Sequence, residues 1–276
     1  MVSNLSSIGF SFSDKRTFEE KIVELADRSK LQADCDVGQY AVWRDASGAA
    51  MWIHVVRSEA FDTPAQIDGL TPFFEGKSRV ELRLTEAFRR PDDNPFEGSF
   101  SAWVAPDDAG EGAYPLMFDA VDYALHANAP LPRTVAVQLT GFAREIDCFP
   151  NEETFYSVTR DEKIKLHAPS FIPIGLFALA EQEGFGDPRP DAADADDNAP
   201  PSAAAMLTGT IVEHRQLENT DTSLPFHWFL IDTLDARVDV VADPATIPGA
   251  IAPGGIIRVV CWFFGRIHDV PPVGEP

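Results

Sequence analysis

The chain carries no recognisable catalytic signature. It has no Gly-x-Ser-x-Gly elbow, no His-Glu-x-x-His pair and no phosphate loop ending in Gly-Lys-Ser/Thr. Cysteine is scarce: Cys35, Cys148 and Cys261 are far apart, odd in number and form no Cys-x-x-Cys. That spacing argues against a disulfide framework or a zinc knuckle and suggests reduced, mostly buried thiols. Basic residues are half as numerous as acidic ones, 22 against 44, leaving a net charge of −22. Like charges repel, so binding to nucleic-acid phosphates or to anionic lipid is not expected, whereas a basic protein would be attracted. The plainer role of such charge is to keep a β-rich protein soluble, and that role is favoured. No apolar run approaches the roughly 20 residues a membrane helix needs. The amino terminus lacks a basic segment leading into an apolar stretch, so no secretory signal is expected and the cytoplasm is the expected location.

Against these gaps stands a repeated pattern. Leu116-Met117-Phe118-Asp119-Ala120-Val121-Asp122 and Phe229-Leu230-Ile231-Asp232-Thr233-Leu234-Asp235 both read as three apolar residues followed by Asp-x-aliphatic-Asp. Each copy follows a glycine-led apolar stretch, from Gly98 or Gly209, and each precedes a long β-like run, 133–145 or 255–267. The repeat suggests two β modules of related layout. The 20 Phe and 5 Trp supply large fillers for a core.

Local patterns divide the chain into four stretches. Residues 1–90 hold a helix and a hairpin. Thr17-Phe18-Glu19-Glu20 has the form of a capping box, and Phe18, Ile22 and Leu25 share one helical face, predicting a helix over 17–29. Tyr40 to Val56, turning at Asp45-Ala46-Ser47-Gly48, reads as a hairpin. A loop with Pro64 and Pro72 follows, then a strand at 80–88. Residues 91–185 form a first β module with strands at 99–105, 114–120 and 134–144; its tail, 155–158 and 171–180, is apolar but of unassigned type. Residues 186–205, rich in Asp, Ala and Pro, have few larger apolar groups to offset ordering entropy and read as a linker.

Residues 206–276 form the second module, with strands at 208–216, 226–232 and 236–241. A crossover at 244–253 leads to Gly254-Gly255 and a strongly apolar strand through Phe264. This order resembles an OB-fold, a five-stranded barrel, over about a quarter of the chain. Only nine residues follow Ile267, so the fifth strand must come from elsewhere or the barrel is partial. The resemblance implies an oligonucleotide-binding face, with Phe226, Trp228, Trp262 and Phe263 as stacking candidates. The few basic residues of this stretch argue against that use, and a core role for the aromatics is preferred.

The paired aspartates are the first candidates for chemistry. Carboxylates can share a proton or hold a metal only where they converge, and residues i and i+3 of a strand point to opposite faces. A turn held by aspartate side chains explains the pairs better than a site. Arg144 and Arg266 close the two modules and are candidate ion partners for these aspartates. His214, His227 and His268 share the second module, but ordinary strand histidines are expected rather than a zinc site. Cys148 and Cys261 sit in or beside apolar strands, where thiols stay protonated.

The sequence therefore predicts an α+β protein, predominantly β: an amino-terminal helix and hairpin, then two related β modules, the second OB-like. The favoured function is a cytoplasmic, non-enzymatic binding or assembly protein with a protein partner or self-association, without cofactor or metal. The candidate ligand-binding residues are Asp119, Asp232, His227 and Trp228. One alternative is a hydrolase gathering Asp119, Asp232 and His227 between the modules. Another is an acidic decoy or inhibitor of a basic protein.

Overall fold

A computed structural model describes residues 3–56, 66–90, 93–107, 109–162, 165–176, 201–249 and 251–268. The architecture is α+β and predominantly β, with two sheets and three α-helices among these residues. Helix α1, Lys15–Arg28, begins two residues before the expected start because Asp14, not Thr17, is its cap: the Asp14 carboxylate accepts from Thr17 N at 2.9 Å. Ile22 and Leu25 form its buried face.

The smaller sheet is an antiparallel meander of β1 (Lys30–Cys35), β2 (Gly38–Arg44), β3 (Ala49–Val56) and β4 (Gln66–Phe74). The hairpin expected from 40 to 56 is β2–β3. Its neighbours β1 and β4 carry little strand pattern; the loop expected around Pro72 is strand over 66–74. Pro72 is tolerated because β4 is an edge strand, which needs no donor on its outer side. Met51, Trp52 and Ile53 in succession are no more than 1% exposed, so both faces of β3 are covered. One cluster joins Phe10 and Leu25 of the amino-terminal segment, Tyr40 and Trp52 of this sheet, and Phe142 and Phe264 of the larger one.

The larger sheet contains β5 (Val80–Phe88), β6 (Ser99–Val104), β7 (Tyr114–Ala120), β8 (Arg133–Phe149), β9 (Ser170–Ile172), β10 (Ala204–Asn219), β11 (Leu224–Thr233), β12 (Ala236–Ala242) and β13 (Ile256–His268). Helix α2 is Tyr123–His126, and α3, Glu152–Val158, accounts for the apolar piece at 155–158. The piece at 171–180 begins as β9 and a 3-10 turn at Ile174–Leu176. Its remainder, and most of the expected linker at 186–205, lie outside the described residues. The end of that linker does not: Ala203, Ala204 and Ala205 are buried, and β10 begins at Ala204.

The pairings close two rings. β10 pairs β11, β11 pairs β12, β12 pairs β8 in parallel, β8 pairs β13 and β13 returns to β10. β8 thus pairs with two strands of 206–276, β12 and β13. The other ring runs β5, β6, β7, then β13 in parallel, then β8, and back to β5. β5–β7 and β10–β12 are three-stranded meanders, each followed by one long strand, β8 or β13, that serves both rings; β5, expected within the 1–90 stretch, joins the strands of 91–185.

The register defines a pseudo-two-fold axis at the Thr140–Phe264 pair. Gly265 lies opposite Leu139 and Phe263 opposite Gly141, so exchanging 140 with 264 reproduces the β8–β13 ladder. The same exchange carries the β7–β13 contact, Asp119 beside Phe264, onto the β12–β8 contact, Asp239 beside Thr140. Gly141 and Gly265 become equivalents, and close approach explains both. A Cβ on Gly265 would fall 2.3 Å from the Phe118 ring, and one on Gly141 2.8 Å from Cys261 Sγ. The ring interiors form one continuous apolar cluster that includes Leu82, Phe100, Phe118, Leu207, Phe229 and Ile257.

Candidate functional site

The four residues singled out in the sequence are dispersed. Asp232 is exposed at the end of β11, where its carboxylate meets Arg237 at 3.3 Å. Trp228 is buried on β11 and its Nε1 donates to Asp239 at 2.8 Å. His227 lies one residue away, on the opposite face, paired with His214. Asp119 is on β7, among other partners. The Asp-x-aliphatic-Asp copies also occupy non-equivalent strands, β7 and β11, the third and second strands of their meanders. The two-fold matches Asp119 with Asp239, not with Asp232.

Within each copy the aspartates diverge. Asp122 is buried and accepts from Ile267 N at 3.2 Å, tying the end of β7 to β13. Asp235 sits at the tip of the β11–β12 turn with φ of 46°. Neither expected arginine partner is found: Arg266 meets Glu75 at 3.4 Å and covers the Trp52 ring, and among the described residues Arg144 Nε has no hydrogen-bond partner.

Asp119 is surrounded by titratable side chains, Arg90, Asp93 and Glu97 among them. It accepts from the Ser99 hydroxyl opposite it on β6 and from Trp262 Nε1 at 2.7 Å on β13. Arg90 approaches it at 3.5 Å, lies over the Trp262 ring at 5.5 Å, and also reaches Asp93 at 3.8 Å. The Asp119 side chain keeps 19% of its surface, so solvent reaches it. Burial raises its pKa above the usual carboxylate range, against the lowering effect of Arg90 and its hydrogen bonds. Burial also raises Glu97, and Asp93, Asp119 and Asp68 add to that shift. Arg90 thus reaches two of these carboxylates, Asp119 and Asp93.

Behind Glu97 lies His54 of β3, fully buried. Its ring stacks on Phe96 at 5.1 Å and 11°, meets Tyr40 edge-on at 5.6 Å, and approaches Glu97 at 3.9 Å. Burial lowers its pKa to about 4.

Asp239, absent from the sequence candidates, is the first position's structural twin. It is buried and accepts from Lys77 N at 3.1 Å, Ser78 N at 2.8 Å and Trp228 Nε1. These bonds fix the β4–β5 connection to β12. The available signal was its place in Arg237-Val238-Asp239-Val240-Val241: a carboxylate inside an apolar strand must find donors.

His214 and His227 share an N–H···N bond of 2.9 Å with ring planes 11° apart. The centroid separation of 5.2 Å is the sum of that bond and two ring radii of about 1.15 Å, so the lone-pair directions run head-on. A metal bound by both nitrogens at about 2.0 Å in line would need roughly 4 Å between them, so this spacing suits a shared proton. His268 joins neither; its neighbours are Arg79, Arg266, Asp122 and Glu75. Among the described residues, no three His, Cys, Asp or Glu are placed to hold a metal ion. A surface cleft of about 420 Å³ opens beside Leu5, Phe12, Asp14 and Phe18, but Asp14 is already engaged as the α1 cap.

No protein-family model matches this chain, and neither a curated protein nor a solved structure matches it.

Proposed function

We propose that this protein acts by binding, and that its acidic surface, with the Asp93–Glu97–Asp119 group as one focus, receives a basic protein partner. The carrying observation is electrostatic: Glu97 and Asp119 both have raised pKa values and both feel neighbouring carboxylates, with Arg90 beside Asp119. A partner's arginine or lysine entering this field would be attracted over both carboxylate and aromatic surface, as Arg90 over Trp262 illustrates. The net charge of −22 extends the same preference over the whole molecule. This unites the binding-protein reading with that of an acidic decoy.

The ring of β10, β11, β12, β8 and β13 supports the OB-like reading of the second module, with β8 as its fifth strand. Binding of single-stranded nucleic acid is not part of the proposal. Phe226, Trp228 and Phe263 are no more than 3% exposed, and Trp262 is engaged by Asp119 and Arg90. No helix among the described residues is long and apolar enough to cross a membrane. The three free cysteines fit the proposed cytoplasmic setting.

Titration of the full chain with an arginine-rich peptide and a single-stranded oligonucleotide tests the reading. Peptide affinity is expected to fall steeply with salt and to weaken about three- to tenfold in Asp119→Asn, with no oligonucleotide binding. Peptide binding that is absent at low salt, or unchanged by that variant, would overturn it. The raised carboxylates favour one second reading, a hydrolase using Asp119 and Glu97 in place of the dispersed trio. Turnover of model esters that is abolished in Asp119→Asn would support it.

A further inference from the structure

His214 and His227 stand where two strands leave the second ring. β10 parts from β13 after Thr210, and β11 pairs with β12 only from His227 onward. Beyond the two histidines, Leu217 to Asn219 and Leu224 to Phe226 pair only with each other among the described residues, as a two-stranded ribbon. The tip of that ribbon anchors the amino-terminal segment and α1. Asn219 Nδ2 donates to the Ile8 carbonyl at 2.9 Å, Thr222 Oγ1 donates to the Gly9 carbonyl, and Asp221 pairs with Lys21 at 2.6 Å and with Arg28. Two strands alone are marginal in water, so the contact at the root of the ribbon matters to everything docked at its tip.

We propose that His214 and His227 form an acid-operated clasp at the root of this ribbon, one that keeps its bond on taking a first proton and opens on taking a second. His214 Nε2 and His227 Nδ1 lie 2.9 Å apart, and in the neutral pair one nitrogen donates and the other accepts. One proton from solvent makes one ring an imidazolium. Its N–H still faces the lone pair of the other ring, so the N–H···N bond persists in charge-assisted form. A second proton has only that lone pair to fill. Two N–H groups would then point at each other between two cations, so the bond is lost and the rings must part. Both rings are half-buried, so solvent protons reach them.

Burial lowers both pKa values, and the charge of His227 lowers His214 further, which makes His227 the first to take a proton. The other groups around the pair act on neither ring. On β10, Glu213 and Arg215 project to the opposite face, where Glu213 meets Lys77 and Arg215 covers Trp228. Glu218 is on the pair's own face but exposed, two positions beyond Gln216, the residue opposite His227. On β11 the neighbour is the Phe229 ring, 4.7 Å from that of His214. On β12, Ala242 lies opposite His227, and Asp243 beyond it accepts from Ala245 N at 2.8 Å. Among the described residues no carboxylate offsets the second charge. Both folded pKa values lie below the ordinary 6.5, so the pair's contribution is complete above pH 6.5 and is lost in two stages as pH falls.

The proposal stands apart from the binding reading, since it concerns the ribbon and not a partner. Nitrogen-15 NMR of the full chain, with hydrogen exchange, tests it. The ring nitrogens of the pair are expected to titrate in two steps more than about one unit apart. The ribbon's backbone amides are expected to keep their protection through the first step and to lose it at the second, before the amides of β6. In His227→Gln, His214 is expected to titrate in a single step about one unit above its wild-type midpoint, with the ribbon as well protected as β6 throughout. Two rings that titrate together, a His214 midpoint unmoved in His227→Gln, or ribbon amides lost only along with those of β6 in the wild type, each overturn the clasp. Should the variant fail to fold, the separation of the two wild-type steps and the order of amide loss decide.

Discussion

Asp119 and Asp239 are equivalent about the axis through the Thr140–Phe264 pair, and each accepts an indole N–H, from Trp262 and Trp228 respectively. Their environments differ. Asp239 is fully buried with two backbone amides as further donors, and Asp119 retains contact with solvent. Asp239→Ala would strand three donors in the interior and is expected to cost about 3 kcal/mol. Asp119→Ala, where water can enter, is expected to cost about 1 kcal/mol. Urea midpoints at neutral pH check the order. Asp239→Asn keeps an acceptor without the buried charge and is expected to fall between wild type and Asp239→Ala.

The shared strands leave no room at their glycines. Gly265→Ala places a methyl against the Phe118 ring and Val137, and a loss of about 2 kcal/mol is expected. Gly141→Ala meets chiefly Cys261 Sγ, the smaller obstacle, so a lesser loss is expected. The double variant Gly141→Ala/Cys261→Ala should recover part of it. Thermal melting of the three variants measures this ranking, and equal losses at the two glycines would contradict it.

Stability should depend on pH through His54. Its folded pKa of about 4 lies below the ordinary value of 6.5, so the unfolded chain binds the proton more readily. The contribution is fully present above pH 6.5 and is lost as pH falls toward 4, on the order of 3 kcal/mol in all. Asp119, Asp239 and Glu97 have raised pKa values and act in the opposite sense, favouring the folded state as pH falls through their folded values. Comparing wild type with His54→Gln isolates the histidine term: the wild-type unfolding free energy should fall more steeply between pH 6.5 and 4.

Asp232 provides a contrast. Its pair with Arg237 is exposed on both sides, so Asp232→Asn is expected to change stability by less than about 0.5 kcal/mol. A loss above 1 kcal/mol by urea titration would assign it a role that its surroundings do not show.

Much of the strand content was legible because alternation and turn chemistry are local. Tyr114–Ala120 and Val80–Phe88 fall where apolar periodicity puts them. The edge strands were not, because β1 has little apolar patterning and β4 contains Pro72, and edges depend on neighbours rather than on pattern. The repeated aspartate motif falls on non-equivalent strands, β7 and β11. Sequence likeness set Asp119 against Asp232, whereas register sets it against Asp239, and register is fixed by partners on distant strands. The group around Asp119 was half visible. Asp119 itself stood out, but Arg90 and Glu97 come to it from the turn before β6, and His54 packs behind Glu97 from a second sheet, which no local pattern encodes.

The β8–β13 pair also sets an order of events during synthesis. Phe149 meets Ile256 and Ala136 meets His268, partners more than a hundred positions apart. At about 5–20 residues per second the ribosome leaves β8 waiting several seconds before β13 emerges. Through that interval neither barrel has all its walls, and the inner faces of β5 to β8 lack their final cover. β13 closes both rings at once, so a chain stopped short of it would lose the two halves together.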